Sequence, residues 1–106
     1  MSTQLKKGVL EMVVLSKIAQ ADSYGYDIYQ YIDSYMVISE STIYPILRKL
    51  TKEGLCSTYL RESNEGPPRK YFKITRQGIT RLRDLKIDWK KFENVVNTLI
   101  RSDRYE

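Results

Sequence analysis

The side chains best suited to chemistry in this chain sit in one short stretch. Between Ser41 and Lys52, the hydroxyls of Ser41, Thr42 and Tyr44, the Pro45 ring and the cations Arg48, Lys49 and Lys52 follow one another at helical spacing. At about 100° per residue, Ile43, Ile46, Leu47 and Leu50 fall on one stripe. Ser41, Pro45, Arg48, Lys49 and Lys52 fall on the other, with Tyr44 at its edge. The apolar stripe requires a core and the cationic stripe requires an anion. A helix of about three turns, anchored on one side and basic on the other, fits a DNA major groove.

Other chemistries are poorly supplied. The chain has no histidine and a single cysteine, Cys56, so the usual general base, a finger-type zinc site and an internal disulfide are all missing. No Gly-rich phosphate loop and no G-x-S-x-G element occurs. These features predict a protein that is not an enzyme and uses no metal or cofactor. The lone cysteine agrees with a reducing compartment. Without a signal-like segment or an 18-residue apolar span, the expected location is the cytoplasm, with no membrane partner.

The 106 residues suffice for one domain with a modest core. The net charge of +5 is unevenly spread. Residues 8–39 set Lys17 against Glu11, Asp22, Asp27 and Asp33, a balance of −3, whereas residues 40–76 carry eight basic and four acidic groups, a balance of +4. The positive field is thus concentrated on the basic helix and the segment C-terminal to it, as suits a polyanion.

The surrounding elements must position that helix. Apolar residues from Leu5 to Gln20, chiefly Leu5, Val9, Met12, Val13, Leu15 and Ile18, widened by Leu10 and Val14, predict a largely buried first helix. Ala21-Asp22-Ser23 breaks it, and Tyr24–Tyr35 reads as a second helix buried through Ile28, Ile32 and Tyr35, with Gly25 marking a close backbone approach. The third helix is capped by Ser39 or Ser41. Ser41 is preferred because it brings Pro45 nearer the first turn, where a missing donor matters least. Gly54 is the expected left-handed residue at its end.

After Gly54 the period changes to two. Residues 56–62 and 69–75 predict a β-hairpin, with 63–68 as a loop too long for a two-residue turn. Arg76–Ser102 then forms one helix about 40 Å long, with Thr75 as N-cap and Gly78 packed tightly on the hairpin. Along it Leu82, Leu85, Trp89, Phe92, Val96 and Leu99 alternate spacings of three and four, the seam of a coiled coil. This helix outruns the body before it, so a second copy of the chain is the simplest cover for the seam. The fold class is α+β, mainly α: a winged helix-turn-helix of three helices and a two-stranded β-wing (1–75), then one long C-terminal dimerisation helix (76–106), together one compact unit.

The strings Tyr24-Gly25-Tyr26-Asp27-Ile28, Ser41 to Leu50, Glu53-Gly54-Leu55 and Arg69-Lys70-Tyr71-Phe72-Lys73-Ile74-Thr75 resemble the successive signatures of the PadR family of bacterial transcriptional regulators. The resemblance is collinear over nearly the whole chain. It implies a homodimeric repressor that sits on a near-palindromic operator in double-stranded DNA and leaves when an effector binds. By the same resemblance Ser41, Thr42, Tyr44, Pro45, Arg48, Lys49 and Lys52 lie nearest the DNA, and Arg69 and Lys70 bring the wing to phosphate or minor groove. Lys6 and Lys7 add backbone contacts. The family often has a Gly-Arg pair where this chain has Gly66-Pro67-Pro68, and Glu65 at the tip repels phosphate, which argues against insertion of the tip.

Several residues have a second reading. Tyr44 either touches DNA or packs against the second helix. Arg61 and Lys73 read as solvated strand positions, and Cys56 as a small buried residue. Trp89 either fills the seam or, as in the short multidrug-sensing relatives that this chain resembles, lines with Phe92 a pocket for a planar aromatic or phenolic effector. A rival reading of the whole chain is a non-DNA-binding winged-helix adaptor for other proteins.

Overall fold

The computed structural model describes residues 3–101 and 104–105, with side chains from residue 8 onward. The side chains of Leu5, Lys6 and Lys7, and Ser102 at the expected end of the last helix, lie outside the described residues. In chain order the elements are α1 (Thr3–Gln20), β1 (Ser23–Tyr24), α2 (Gly25–Asp33), α3 (Glu40–Lys52), β2 (Cys56–Ser63), β3 (Gly66–Ile74) and α4 (Arg76–Ile100). The strands form one antiparallel sheet in the order β1-β3-β2. Three helices, a hairpin wing and a long last helix make the winged helix-turn-helix expected from the sequence.

The core is the meeting of one stripe from each helix. Leu10, Val14, Leu15 and Ile18 of α1 join Ile28 and Ile32 of α2, Ile43, Leu47 and Leu50 of α3, and Phe72 of β3. Leu10 and Val14, which the pattern treats as margins of the α1 stripe, lie at its centre and are fully buried. Met12 packs against the core only in part. Tyr35, expected on the buried face of α2, is 79% exposed, because that helix ends at Asp33 and Tyr35 lies beyond its cap.

The sheet has three strands where the sequence predicts two. Ser23 and Tyr24 pair with Phe72 and Tyr71, so the residues read as a helix break and the start of α2 are a short strand. Two residues are too few to show a period. The hairpin turn also differs: Ser63 pairs with Gly66, leaving only Asn64 and Glu65 in the turn, and the register shifts between Arg61 and Ser63. Gly66 adopts φ +152°, which favours glycine. Pro67 and Pro68 continue as strand. Near the tip β3 has β2 on one side and solvent on the other, where a missing N–H costs least.

The end of α3 is built as its sequence predicts. Gly54 takes φ +75°, the Leu55 N–H donates to the Leu50 carbonyl at 2.9 Å, and the Gly54 N–H donates to the Thr51 carbonyl at 3.1 Å. This paired closure satisfies carbonyls that a helix end leaves open. The start of α3 differs: Ser39, not Ser41, is the N-cap, which puts Pro45 in the second turn of the helix. There it removes the donor that would have bonded to the Ser41 carbonyl.

Thr75 caps α4 as expected, accepting from the Gly78 N–H at 3.0 Å. A Cβ on Gly78 would run into the Leu55 carbonyl and the Ile74 side chain, so the tight approach read from this glycine is present. Only the first turns of α4 rest on the body. Leu82, expected in the intermolecular seam, is 5% exposed within the single chain and belongs to its core, and Leu85 is partly buried against that core. Beyond them Trp89, Phe92, Leu99 and their neighbours Ile87, Val95 and Ile100 are exposed along a molecule 59 Å in its longest dimension.

Candidate nucleic-acid interface

α3 turns its polar face outward because Ile43, Ile46, Leu47 and Leu50 hold the other face in the core. Ser41, Pro45, Arg48, Lys49 and Lys52 are exposed; Thr42 and Tyr44 are half-buried. These residues divide between the two flanks of the helix.

On the wing side, α3 and β3 enclose a groove of 650 Å³. Arg48 and Lys52 enter it from α3, and Arg69 and Lys70 from the wing. Its lining is largely aromatic, with Tyr24, Tyr26, Tyr44 and Phe72, and among the described residues no carboxylate lines it. Arg48, Lys52 and Lys70 make no ion pair among the described residues, so their charge faces solvent. Arg69 is held differently. Its guanidinium lies 4.9 Å from the centre of the Tyr24 ring and 3.5 Å from the Glu65 carboxylate. Stacking on Tyr24 orders the Arg69 side chain while leaving its charge in place.

Of its two readings, Tyr44 shows the packing against α2. Its ring packs where a Cβ on Gly25 would come within 3.3 Å, as would the Phe72 ring, so the close approach read from Gly25 is a helix-on-aromatic contact. Its edge still lines the groove. Burial first, then the charge of Glu40, raises its phenol above the ordinary value.

The other flank of α3 carries Ser41, Thr42, Pro45 and Lys49. Ser39 Oγ lies 2.8 Å from Ser41 Oγ and 3.2 Å from Thr42 Oγ1, a row of hydroxyls at the helix start. Lys49 is not an open cation like its neighbours. Its Nζ is 3.3 Å from Glu11 of α1 and 3.9 Å from Glu53. The sequence groups Lys49 with Arg48 and Lys52; the structure separates it from them and gives it two carboxylates.

Tyr24 and Tyr26 are wall residues that side-chain spacing alone does not single out, because they reach the groove from β1 and the start of α2. On the outer sheet face Tyr24, Tyr71 and Tyr59 form a row with centroid spacings of 6.1 and 5.7 Å. Arg61 lies over Tyr71 at 5.2 Å, and the Tyr59 hydroxyl donates to Asp22 at 2.8 Å. Arg61 is therefore a stacked strand residue.

Another concavity, of 260 Å³, lies between α1 and α4, where Gly8, Val9 and Met12 face Leu85, Asp88, Trp89 and Phe92. The Trp89 and Phe92 rings stand 6.4 Å apart at 43°. Val96 is half-buried and Leu99 is 75% exposed. Among the described residues no cluster of His, Cys, Asp and Glu is arranged to hold a metal, and no helix is long and apolar enough to cross a membrane.

Residues 14–84 match the family model of the transcriptional regulator PadR-like family. A crystal structure of a PadR-like transcriptional regulator from Bacillus cereus strain ATCC 14579 is 36% identical, with a TM-score of 0.85 over 95% of this chain and 100% of that one. An uncharacterized protein of Lysinibacillus sphaericus is 30% identical over 95 residues, 86% of this chain and 87% of that protein. The PadR protein of Bacillus subtilis, solved in complex with operator DNA, is 29% identical with a TM-score of 0.67, over 74% of this chain and 47% of that one.

Proposed function

Because this chain belongs to the PadR-like family of transcriptional regulators, we propose that it is a homodimeric repressor that reads a near-palindromic operator with α3 and grips the adjoining backbone with its wing. One observation carries the reading. Four cations from two elements, Arg48, Lys52, Arg69 and Lys70, converge on one groove that no carboxylate lines among the described residues. A protein-binding adaptor has no need of that arrangement, whereas a phosphate backbone does.

The body ahead of α4 supplies the DNA-binding part and α4 (Arg76–Ile100) the dimerisation helix. In the groove the cations give affinity that falls steeply with salt. Ser41, Thr42 and the Pro45 ring, at the exposed start of α3, read base edges and thymine methyls. Lys49 contributes less, since Glu11 and Glu53 already offset its charge.

The exposed apolar side chains of α4 support the second half of the proposal. Trp89, Phe92 and Leu99 need a partner, and a second copy packed on α4 supplies one, with Leu85 and Val96 beside them. Two-fold symmetry then places two α3 helices about 34 Å apart, facing half-sites one helical turn apart. The concavity at Trp89 and Phe92 lies against that interface, so a planar aromatic or phenolic effector stacked there changes the distance between the reading helices. As a repressor of this kind the protein works in the cytoplasm.

Footprinting on the DNA preceding the protein's own gene tests the proposal. It is expected to reveal two protected, symmetry-related segments about one turn apart. A single unpaired segment, or no protection at low salt, contradicts it.

A further inference from the structure

Where the wing closes one flank of α3, α1 and the connection from α2 close the other, around a cavity of 780 Å³. Leu10 and Ile46, 0% and 8% exposed, form its apolar floor, and half-buried Ile38 enters from the connection. Val37 and Pro45 make an exposed apolar rim. A concavity of this size, mostly apolar with a few polar groups, has the character of a small-molecule site.

Among the described residues the charged groups lining it are Glu11 and Lys49. The Glu11 side chain is 19% exposed, and among the described residues its Oε2 is engaged by Lys49 while its Oε1 has no partner. Lys49 is 55% exposed and has Glu53 within 3.9 Å as a second carboxylate. A competing cation can therefore take Glu11 while Lys49 turns to Glu53, and an exposed ion pair resists such exchange only weakly. An anion would meet the Glu11 charge at the apolar floor.

We propose that this cavity is a binding site for a compact lipophilic amine, with its apolar body on Leu10, Ile38 and Ile46 and its ammonium on Glu11. The site is separate from the concavity at Trp89. Ser41, Thr42, Pro45 and Lys49 line it, so an occupant shares residues with the operator and excludes it; this last step rests on the proposed DNA-binding role of α3.

The test uses the full chain without DNA, isotope-labelled at Ile, Leu and Val methyls. It is titrated with three probes that share one apolar cage: 1-adamantylamine, 1-adamantanol and 1-adamantanecarboxylate. The amine is expected to give saturable shifts at Leu10, Ile38 and Ile46, the alcohol weaker ones and the carboxylate none. Glu11→Gln should weaken the amine at least tenfold and leave the alcohol unchanged, whereas Lys49→Gln should strengthen the amine. Equal affinity for the three probes, an unaltered amine affinity in Glu11→Gln, or shifts confined to the α4 face overturns the site. In a second arm, saturating amine should release a labelled operator duplex; a duplex that stays bound overturns the exclusion. If the amine-free protein binds no duplex, the operator reading has failed, and the methyl titration still decides the site.

Discussion

The Thr75 hydroxyl donates to the Gly54 carbonyl at 2.7 Å and accepts from the Gly78 N–H at 3.0 Å, tying the end of α3 to the start of α4. The Thr75 N–H adds a bond to the Leu55 carbonyl at 3.1 Å, and Gly78 leaves room for that same carbonyl. α3, proposed to read DNA, and α4, proposed to pair with a second copy, thus share one hydrogen-bonded joint. In a dimer the direction of α4 sets the direction of α3.

Thr75→Ala removes both the cap and the bond across the joint. We expect a loss of about 1–2 kcal/mol in stability, read from the midpoint of urea unfolding. Gly78→Ala should cost about 1–3 kcal/mol, although alanine favours helix, because its Cβ meets the Leu55 carbonyl. A neutral or stabilising Gly78→Ala would mean that the joint yields.

Arg48 and Lys49 are neighbours with opposite surroundings. Arg48→Ala should lower operator affinity and reduce the slope of log K against log salt by about one per subunit. Lys49→Ala should have a clearly smaller effect, since Glu11 and Glu53 already compensate its charge. Equal losses for the two variants would show that those carboxylates do not hold Lys49 when DNA is bound.

Cys56 and Tyr59 keep their protons to higher pH in the folded chain than in the unfolded one. Burial raises the Cys56 thiol, partly offset by its hydrogen bond with Thr51, and the hydrogen bond to Asp22 is the chief cause that raises the Tyr59 phenol. The folded state therefore binds more protons than the unfolded state. The stabilisation is complete below the unfolded values, about 8.5 for the thiol and about 10 for the phenol, and is lost as pH rises through the higher folded ones. Urea midpoints should fall from about pH 8.5 upward, and Cys56→Ala should remove the earliest part of that fall. A midpoint independent of pH between about 8 and 11 would contradict these environments.

For the proposed dimer, light scattering should give twice the chain mass of 12.5 kDa. Phe92→Glu, which puts a charge on an exposed apolar position of α4, should give 12.5 kDa while keeping the helical spectrum. If planar aromatic compounds bind beside Trp89, its emission should change on titration, and an unchanged spectrum across a panel of such compounds contradicts an effector there.

Local signals in the sequence carried far. Gly54, Thr75 and Gly78 each mark a backbone requirement that neighbouring residues enforce, and all three were legible. The apolar stripe of α3 was legible because its period is unbroken. What the sequence hid was set by distant partners. β1 is too short to have a period and exists only because β3 lies beside it. Glu11 and Lys49 meet across 38 positions of chain, so nothing near Lys49 reveals that its charge is engaged on α1. Leu82 fits the seam pattern as well as Leu85 does, and only the packing of α1 against α4 decides that it belongs inside. The groove at the wing is likewise a product of folding, since Tyr24, Arg48 and Lys70 come from three separate elements.

The cations of α3 and of the wing are proposed to act together on one DNA backbone. The direct measurement is a fluorescence-anisotropy titration of the wild-type protein and of the Arg48→Ala/Lys70→Ala variant, against the duplex preceding the protein's own gene and a shuffled duplex, over a series of salt concentrations. The wild type should prefer its own duplex, and the variant should lose affinity for both duplexes with a salt slope lower by about two per subunit. Equal binding to the two duplexes, or an unchanged slope in the variant, would contradict joint action of α3 and the wing on operator DNA.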